Sequence, residues 1–390
     1  MIPRTLFSPE HADFRASVRR FVETELKPQH GAWEDVGQVP REIWRKAGAA
    51  GLLCCTVPEE YGGPGAEFLF NVVVIEELAR CGISGPGFAI HSDMVASYIQ
   101  NFGNEEQKRR WLPGMVAGDT IGALGITEPA AGSDVRGIRT TVTRDGDSLV
   151  INGQKTYISN GQLADIVVLV CKSDPARPRD AISLVVVETS QSGFSRGKPL
   201  KKLGMRAQDT SELFFDNVRV PAANLLGEEH GGFRHLTHNL ALERLVQAVR
   251  SVVVAEVTIE QTVEYTAGRR AFDRTIADFQ NTQFKLADLA AATVAARVFI
   301  DRCIELQVAG KLDPVDAAAA KLMATELHCR VVDECLQLHG GAGYMWEYPV
   351  CRAYADARIV KIAGGAVEVM KQIIARDLFS RHGGGRRKAA

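Results

Sequence analysis

The chain has 390 residues, 46% apolar and 24% charged, with a formal net charge of −1. That length allows two or three packed domains. The near-neutral balance, with Lys and Arg spread along the chain, argues against a nucleic-acid surface, which needs a clustered basic patch.

Other absences narrow the class further. No run of about 18 apolar residues is present to span a membrane, and no apolar run follows a basic segment at the start, so no secretory signal is expected. The eight cysteines include no CxxC pair and read as buried reduced thiols, which predicts a cytoplasmic protein. The terminal GGGRRKAA is the one basic run and reads as a solvated end.

Residues 1–120 read as a helical domain. SPEHADFRASVRRFVETEL opens with Ser8 at an N-cap and Pro9 at the first helical position, and Phe14, Val18, Phe21 and Val22 fall on one face. FLFNVVVIEELARCG and NEEQKRRWLPGMVAG repeat the helical period and end at glycines.

Residues 121–230 change to short β-branched runs: TTVTR, SLVING, IVVLVCK, ISLVVVE and ELFFDNVRV. Asp145-Gly146 and Asn152-Gly153 suggest hairpin turns. Strands this close, with no helices between them, predict a middle antiparallel, β-barrel-like domain rather than a parallel α/β layer. Residues 231–390 return to long helical patterns over 231–267, 280–309, 314–338 and 365–378, which predicts a four-helix bundle ahead of the short basic tail. The fold class is therefore α+β multidomain, in the order helical, β, helical.

Neither GxGxxG after a strand nor GxxxxGK[ST] occurs, so a Rossmann site or P-loop is not expected, and GxSxG and HExxH are missing too. His230, His235 and His238 lack a metal-ligand spacing, so no metal is expected. In GITEPAAGSDVRGIRT (125–140), Thr127, Ser133 and the backbone N–H groups around Ala131 and Gly132 suit a heterocycle or phosphate oxygens, or equally a polar loop with a cap serine. YISNG (157–161) ends a strand with a ring suited to a flat cofactor, or simply with an Asn-Gly turn. YTAGRRAF (265–272) offers arginines to a diphosphate, or is a solvated turn. QLHGGAGY (337–344) permits close backbone approach, or a sharp turn.

As an ordered set, TEPAAGSD, YISNG, RRAF…IADFQ, QLHGGAGYMWEYP and GGAVEVMKQIIARDL resemble the acyl-CoA dehydrogenase family of flavoproteins over nearly the whole chain. GPGFAIHSDMVASYI and RAQDTSELFFDNVRVPAANLLGEE are most similar to its long-chain branch. The resemblance implies FAD held between the β domain and the bundle, and a homotetramer, a dimer of dimers, whose neighbouring subunit completes the site. It implies that Ile126, Thr127 and Ser133 meet the flavin or the substrate edge. Tyr157, Ile158 and Ser159 would pack on the flavin's other side; many members carry tryptophan at the place of Tyr157. Arg269 and Gln280 would reach the diphosphate and adenosine half. Gln337, Leu338, His339, Gly340 and Gly341 would do so from the partner chain. Two departures stand out: Asp273 where the family has the glycine of RxxFG, and Ala366 where it has the threonine of GGT.

The family's reaction is α,β-desaturation of a fatty acyl-CoA thioester, with electrons passed to an electron-transfer flavoprotein. The base is a carboxylate in a dry pocket, where desolvation raises its pKa toward the working pH. Most members place it near the start of the last helix, where this chain has Gly364. The long-chain and isovaleryl branches place it one helix earlier, where Glu243 stands in LALERLVQAV. Glu243 is the expected base, with Arg244 beside it; the alternative is a structural Glu–Arg pair. Arg234, Leu242, Gly364 and Gly365, with Ser133, are expected to meet substrate. Small residues at Gly85, Gly87, Ala89 and Ser92 would leave a channel for a medium to long acyl chain, or allow close helix packing. Two other readings remain: a flavin oxidase or monooxygenase of the same fold, and a non-catalytic subunit of a mixed tetramer.

Overall fold

The computed structural model describes residues 2–174, 177 and 181–381, so the terminal basic run lies outside the described residues. The backbone divides into two compact units. One holds the chain up to Asp13, Ile75–Gly82 and the chain from Ala241 on; the other holds Phe14–Val74 and Ile83–Leu240.

The N-terminal third carries α1 (Pro9–Phe21), α2 (His30–Val36), α3 (Arg41–Ala49), α4 (Phe68–Arg80), α5 (Ala96–Phe102) and α6 (Glu105–Ala117). The Ser8 carbonyl accepts the first bond of α1, from the Ala12 N–H at 3.2 Å. Its hydroxyl turns instead to His11 Nδ1 at 2.7 Å. α6 begins at a capping box: Asn104 Oδ1 accepts from the Gln107 N–H, and Gln107 Oε1 from the Asn104 N–H, at 2.9 and 3.0 Å. It stops at Gly118, whose φ of +76° suits a left-handed cap.

In the stretch expected to leave an acyl channel or to allow close packing, Gly85, Gly87 and Ser92 serve packing. A Cβ on Gly85 would stand 2.8 Å from the Ala207 Cβ, and one on Gly87 would stand 2.0 Å from Asn160 Oδ1. The Ser92 hydroxyl accepts from the Cys54 N–H at 2.9 Å. Gly85 and Gly87 thus make room for neighbouring side chains, those of Ala207, Val39 and Asn160. A π-helical turn, Ile90–Val95, follows these glycines.

The sheet holds eight strands: β1 (Gly122–Gly125), β2 (Thr141–Asp145), β3 (Ser148–Ser159), β4 (Ile166–Lys172), β5 (Ile182–Glu188), β6 (Phe194–Arg196), β7 (Thr210–Pro221) and β8 (Leu225–Leu226). Their order is β6-β7-β3-β2-β4-β5-β8, with β1 beside β4. The path is open, which corrects the barrel-like expectation, and β1 and β2 both pair parallel to β4, which corrects the purely antiparallel one. The β2–β3 hairpin lies between β1 and β4 in sequence, so strands make the crossover that a helix usually makes. The core is apolar, with Ile151, Val167, Leu169, Val185, Leu213 and Val218 all fully buried. Asp145 pairs with Ser148 across a hairpin turn, as expected. Asn152-Gly153 makes no turn: it lies inside β3 at a register shift against β7, and a Cβ on Gly153 would come within 2.5 Å of Thr140 Oγ1.

The rest is helical: α7 (Gly232–Gly268), α8 (Gln280–Val308), α9 (Pro314–His339), the short α10 (Pro349–Ala357) and α11 (Val367–Arg381). β9 (Arg270–Ala271) and β10 (Arg274–Thr275) form a small hairpin ahead of α8. Fully buried Leu245, Val249, Val252, Ile300, Ile304, Ala320, Ala324 and Val331 pack α7, α8 and α9. Buried Arg297 and half-buried Arg4 are both paired with carboxylates. The Arg297 guanidinium donates to both Glu256 carboxylate oxygens at 2.8 and 2.7 Å and to Glu76 at 3.0 Å, while Arg4 donates to both oxygens of Asp301 at 2.8 Å.

Candidate active site

Glu243 lies on the turn of α7 that carries Leu245, Val246, Ala248 and Val249 inward, and it is 4% exposed. Arg244 is likewise buried and Leu242 half-buried. Burial takes this carboxylate out of water, which disfavours its charged form.

Within the same unit, Gly364 and Gly365 turn the chain into α11 with φ of +65° and +92°. A Cβ on Gly364 would find only Lys321 Cε at 3.8 Å and Gln247 Cγ at 3.9 Å, which is ordinary contact. One on Gly365 would crowd the Met370 Cε at 2.9 Å. The Lys321 ammonium, reaching from α9, donates to the Gly365 carbonyl. Burial, then the charge of Arg244, pulls Lys321 down to about 8. Sequence reasoning missed Lys321; its signal was a lone lysine at an inward position in the alanine-rich AAAAKLMATE. Ala366 accepts the first bond of α11, from the Met370 N–H at 3.2 Å, so it holds the N-cap place without a capping side chain.

In the other unit, Ile126 and Thr127 follow β1 and are half-buried, while Ser133 is exposed. The Thr127 carbonyl accepts from the Thr156 N–H at 2.9 Å. The Ala131 N–H, expected to face a ligand, is already taken by the Glu128 carbonyl at 3.1 Å. Gly132 has nothing within 4 Å of a Cβ. Tyr157 sits at φ +60° with its ring 69% exposed, between buried Thr156 and Ile158, and Ser159 closes β3 half-buried. Arg234 is not buried in a pocket but pairs with Glu228 at 2.6 Å, both exposed. Of the three histidines, His230 Nδ1 meets the Ser173 hydroxyl at 2.7 Å, and His235 stacks on Phe102 at 4.2 Å. Among the described residues no cluster of metal-ligating side chains occurs.

Arg269 follows α7 and Gln280 opens α8; both are exposed. Gln337, Gly340 and Gly341 are exposed, and nothing lies within 4 Å of a Cβ on either glycine. Leu338 is half-buried. His339 turns inward, stacked on Tyr265 at 4.1 Å with Nδ1 near the Cys335 carbonyl at 2.8 Å, and burial lowers its pKa. Asp273 and Phe272 are the two turn residues of the β9–β10 hairpin, at φ +60° and +50°.

The chain matches family models for the N-terminal, middle and C-terminal domains of acyl-CoA dehydrogenase over residues 8–119, 123–218 and 230–379. The mitochondrial long-chain specific acyl-CoA dehydrogenase of Rattus norvegicus is 46% identical over 379 residues, 97% of this chain and 88% of that protein. The crystal structure of an acyl-CoA dehydrogenase from Geobacillus kaustophilus is 46% identical with a TM-score of 0.95, covering 96% of this chain and 100% of that one. A glutaryl-CoA dehydrogenase from Mycobacterium smegmatis, determined in complex with FADH2, is 31% identical with a TM-score of 0.89, covering 96% of each chain. The chain belongs to the acyl-CoA dehydrogenase family and is an FAD-dependent oxidoreductase.

Proposed function

We propose that the enzyme desaturates medium- to long-chain fatty acyl-CoA thioesters, with Glu243 as the base that removes the α-proton. The observation that carries this reading is the burial of Glu243 among aliphatic side chains of α7 while Gly364 leaves space ahead of α11. Arg244 orients the carboxylate. The Gly364 N–H is the donor for the thioester oxygen, with Leu242 and Gly365 lining the substrate and Ser133 at its edge; Arg234, held by Glu228, is a weaker candidate. A bound FAD would supply the acceptor for the hydride leaving the β-carbon.

The residues fit that cofactor. Tyr157 offers an exposed ring face, Thr127, Ser133 and Ser159 offer hydroxyls, and Gly132 offers open backbone. Arg269 and Gln280 are free to reach a diphosphate and adenosine. Gln337–Gly341 would act from a neighbouring copy, with His339 contributing backbone rather than its inward ring. A homotetramer agrees with the exposed rings of Phe272, Phe284 and Tyr344, which are 89%, 63% and 79% accessible. We further propose domains at 1–120, 121–230 and 231–390, an electron-transfer flavoprotein as acceptor, and a cytoplasmic setting. No described helix is long and apolar enough to cross a membrane.

The chain-length assignment rests on similarity to long-chain enzymes, since Gly85, Gly87 and Ser92 serve packing. The test is anaerobic bleaching of the purified yellow protein by thioesters of about four to eighteen carbons in single turnover. A colourless protein, or highest specificity for a four-carbon or aryl thioester, would overturn the assignment. Turnover with oxygen alone would favour an oxidase.

A further inference from the structure

Two segments separated by almost thirty residues are tied together by a buried ion pair that the sequence did not single out. Lys155 on β3 has no exposed side-chain surface, and Glu128 is 4% exposed. The Lys155 ammonium donates to Glu128 Oε1 at 2.7 Å and to the Ile126 carbonyl at 3.0 Å. The Glu128 carboxylate also accepts from the backbone N–H groups of Arg139 and Thr140, at 2.5 and 3.0 Å. Burial works against ionisation of Glu128, but Lys155 and these donors together hold its carboxyl below the usual carboxylate range.

The strand is irregular at this point. β3 and β7 shift register between Lys155 and Ile158, leaving one extra residue on β3. Tyr157 takes the left-handed conformation there and turns its ring outward. A non-glycine residue holds such a conformation only where its surroundings over-determine it. The Thr156 N–H binds the Thr127 carbonyl one residue before Tyr157, and Lys155 anchors the residue before that. The pair therefore ties the strand immediately ahead of the strained tyrosine to the 126–128 segment.

We infer that Glu128–Lys155 is a positioning clamp for FAD binding, holding Ile126–Thr127 and the Tyr157 bulge as one preformed face. The inference rests on the reading that these segments face the cofactor. A buried ion pair contributes little net stability over a neutral replacement of similar shape, but it fixes geometry. Loosening it should therefore alter flavin binding more than folding.

The experiment compares holoenzymes carrying Glu128→Gln with Lys155→Met, and Tyr157→Ala, against the wild type. The glutamine side chain keeps one acceptor oxygen for either the Arg139 or the Thr140 N–H, which bond different Glu128 oxygens, while the tie from position 155 is gone. The double variant is expected to keep its far-ultraviolet circular dichroism, to weaken FAD binding by about tenfold or more, and to change the visible circular dichroism of the bound flavin. Wild-type FAD affinity and flavin spectrum in the double variant, with weakened FAD in Tyr157→Ala, would overturn the clamp while leaving the cofactor reading standing. Wild-type FAD affinity in Tyr157→Ala would overturn the cofactor reading, and the clamp with it. Should the double variant not fold, Glu128→Asp keeps the charge and shortens the tether. A shifted flavin spectrum then supports the clamp, and an unshifted one overturns it.

Discussion

Lys321, buried on α9, donates its ammonium to the carbonyl of Gly365, and its Cε lies 3.8 Å from where a Cβ on Gly364 would stand. One lysine thus underlies both glycines of the turn ahead of α11. Charge, backbone conformation and space are coupled at the place where the substrate's thioester is proposed to bind.

This coupling sets a pH dependence. The folded Lys321 pKa lies at about 8 against an ordinary 10.5. Below pH 8 both folded and unfolded chains hold the proton, and the folded state bears the full burial cost. Between pH 8 and 10.5 the folded state has lost the proton and the unfolded state still binds it, so this contribution to stability rises with pH. Lys321→Met removes the titration. Its stability relative to wild type should fall by roughly 2–3 kcal/mol across that window. Denaturant unfolding at pH 7.5 and 10.5, or about those values, measures the difference; a constant gap would show that Lys321 is not neutralised.

Glu243→Gln preserves shape and should preserve FAD while slowing flavin reduction by acyl-CoA by about 10²–10⁴-fold or more. Arg244→Ala should cost less. Placing the carboxylate at the alternative position, in Glu243→Gly with Gly364→Glu, should regain part of the rate. The recovery is limited by the φ of +65° at Gly364, which disfavours any side chain. Wild-type reduction by Glu243→Gln would leave Glu243 as a structural partner of Arg244.

Arg269→Ala removes an exposed guanidinium while keeping the backbone bond from its N–H to the Tyr265 carbonyl at 3.0 Å. The variant should elute as the wild-type assembly with helices intact and FAD depleted. Full flavin retention would remove Arg269 from the diphosphate site.

Asp273 occupies a left-handed turn position, φ +60°, in a two-residue hairpin. Glycine there avoids the Cβ penalty, so Asp273→Gly should stabilise the protein by about 1 kcal/mol. The bond from Arg270 to the carbonyl at position 273, 2.7 Å, survives in the variant, so an unchanged thermal midpoint would mean that glycine's extra freedom in the unfolded chain offsets the relieved strain.

Arg297→Ala removes the guanidinium shared by half-buried Glu256 and buried Glu76, leaving Glu76 with Arg4 and Glu256 with Arg80 at 3.8 Å. Loss of one partner from such a group costs about 3–5 kcal/mol. Chemical denaturation should show a loss near that size, whereas a loss below about 1 kcal/mol would be that of a solvated pair.

The long helices were legible in the sequence to within a few residues, because each needs a local apolar period and a local stop. The strand runs were legible for the same reason. Asp145-Gly146 was read correctly and Asn152-Gly153 was not, since the same dipeptide chemistry serves a turn or a bulge and only the partner strand β7 decides between them. Sheet order, the parallel pairs of β4 and the open edge depend on contacts between residues far apart in sequence, which no local pattern carries. The carboxylate of Glu243 declared itself by standing in an apolar helix. Lys155, Glu128 and Lys321 stayed hidden because a lysine or glutamate normally points to water, and their sequence neighbours do not reveal burial. Packing removed that water and left each ammonium with a specific acceptor: a carboxylate and the Ile126 carbonyl for Lys155, and the Gly365 carbonyl for Lys321. Local patterning thus determined the elements and marked out Glu243, to which the family resemblance gave the role of base, while tertiary burial decided which charged groups are held by backbone acceptors.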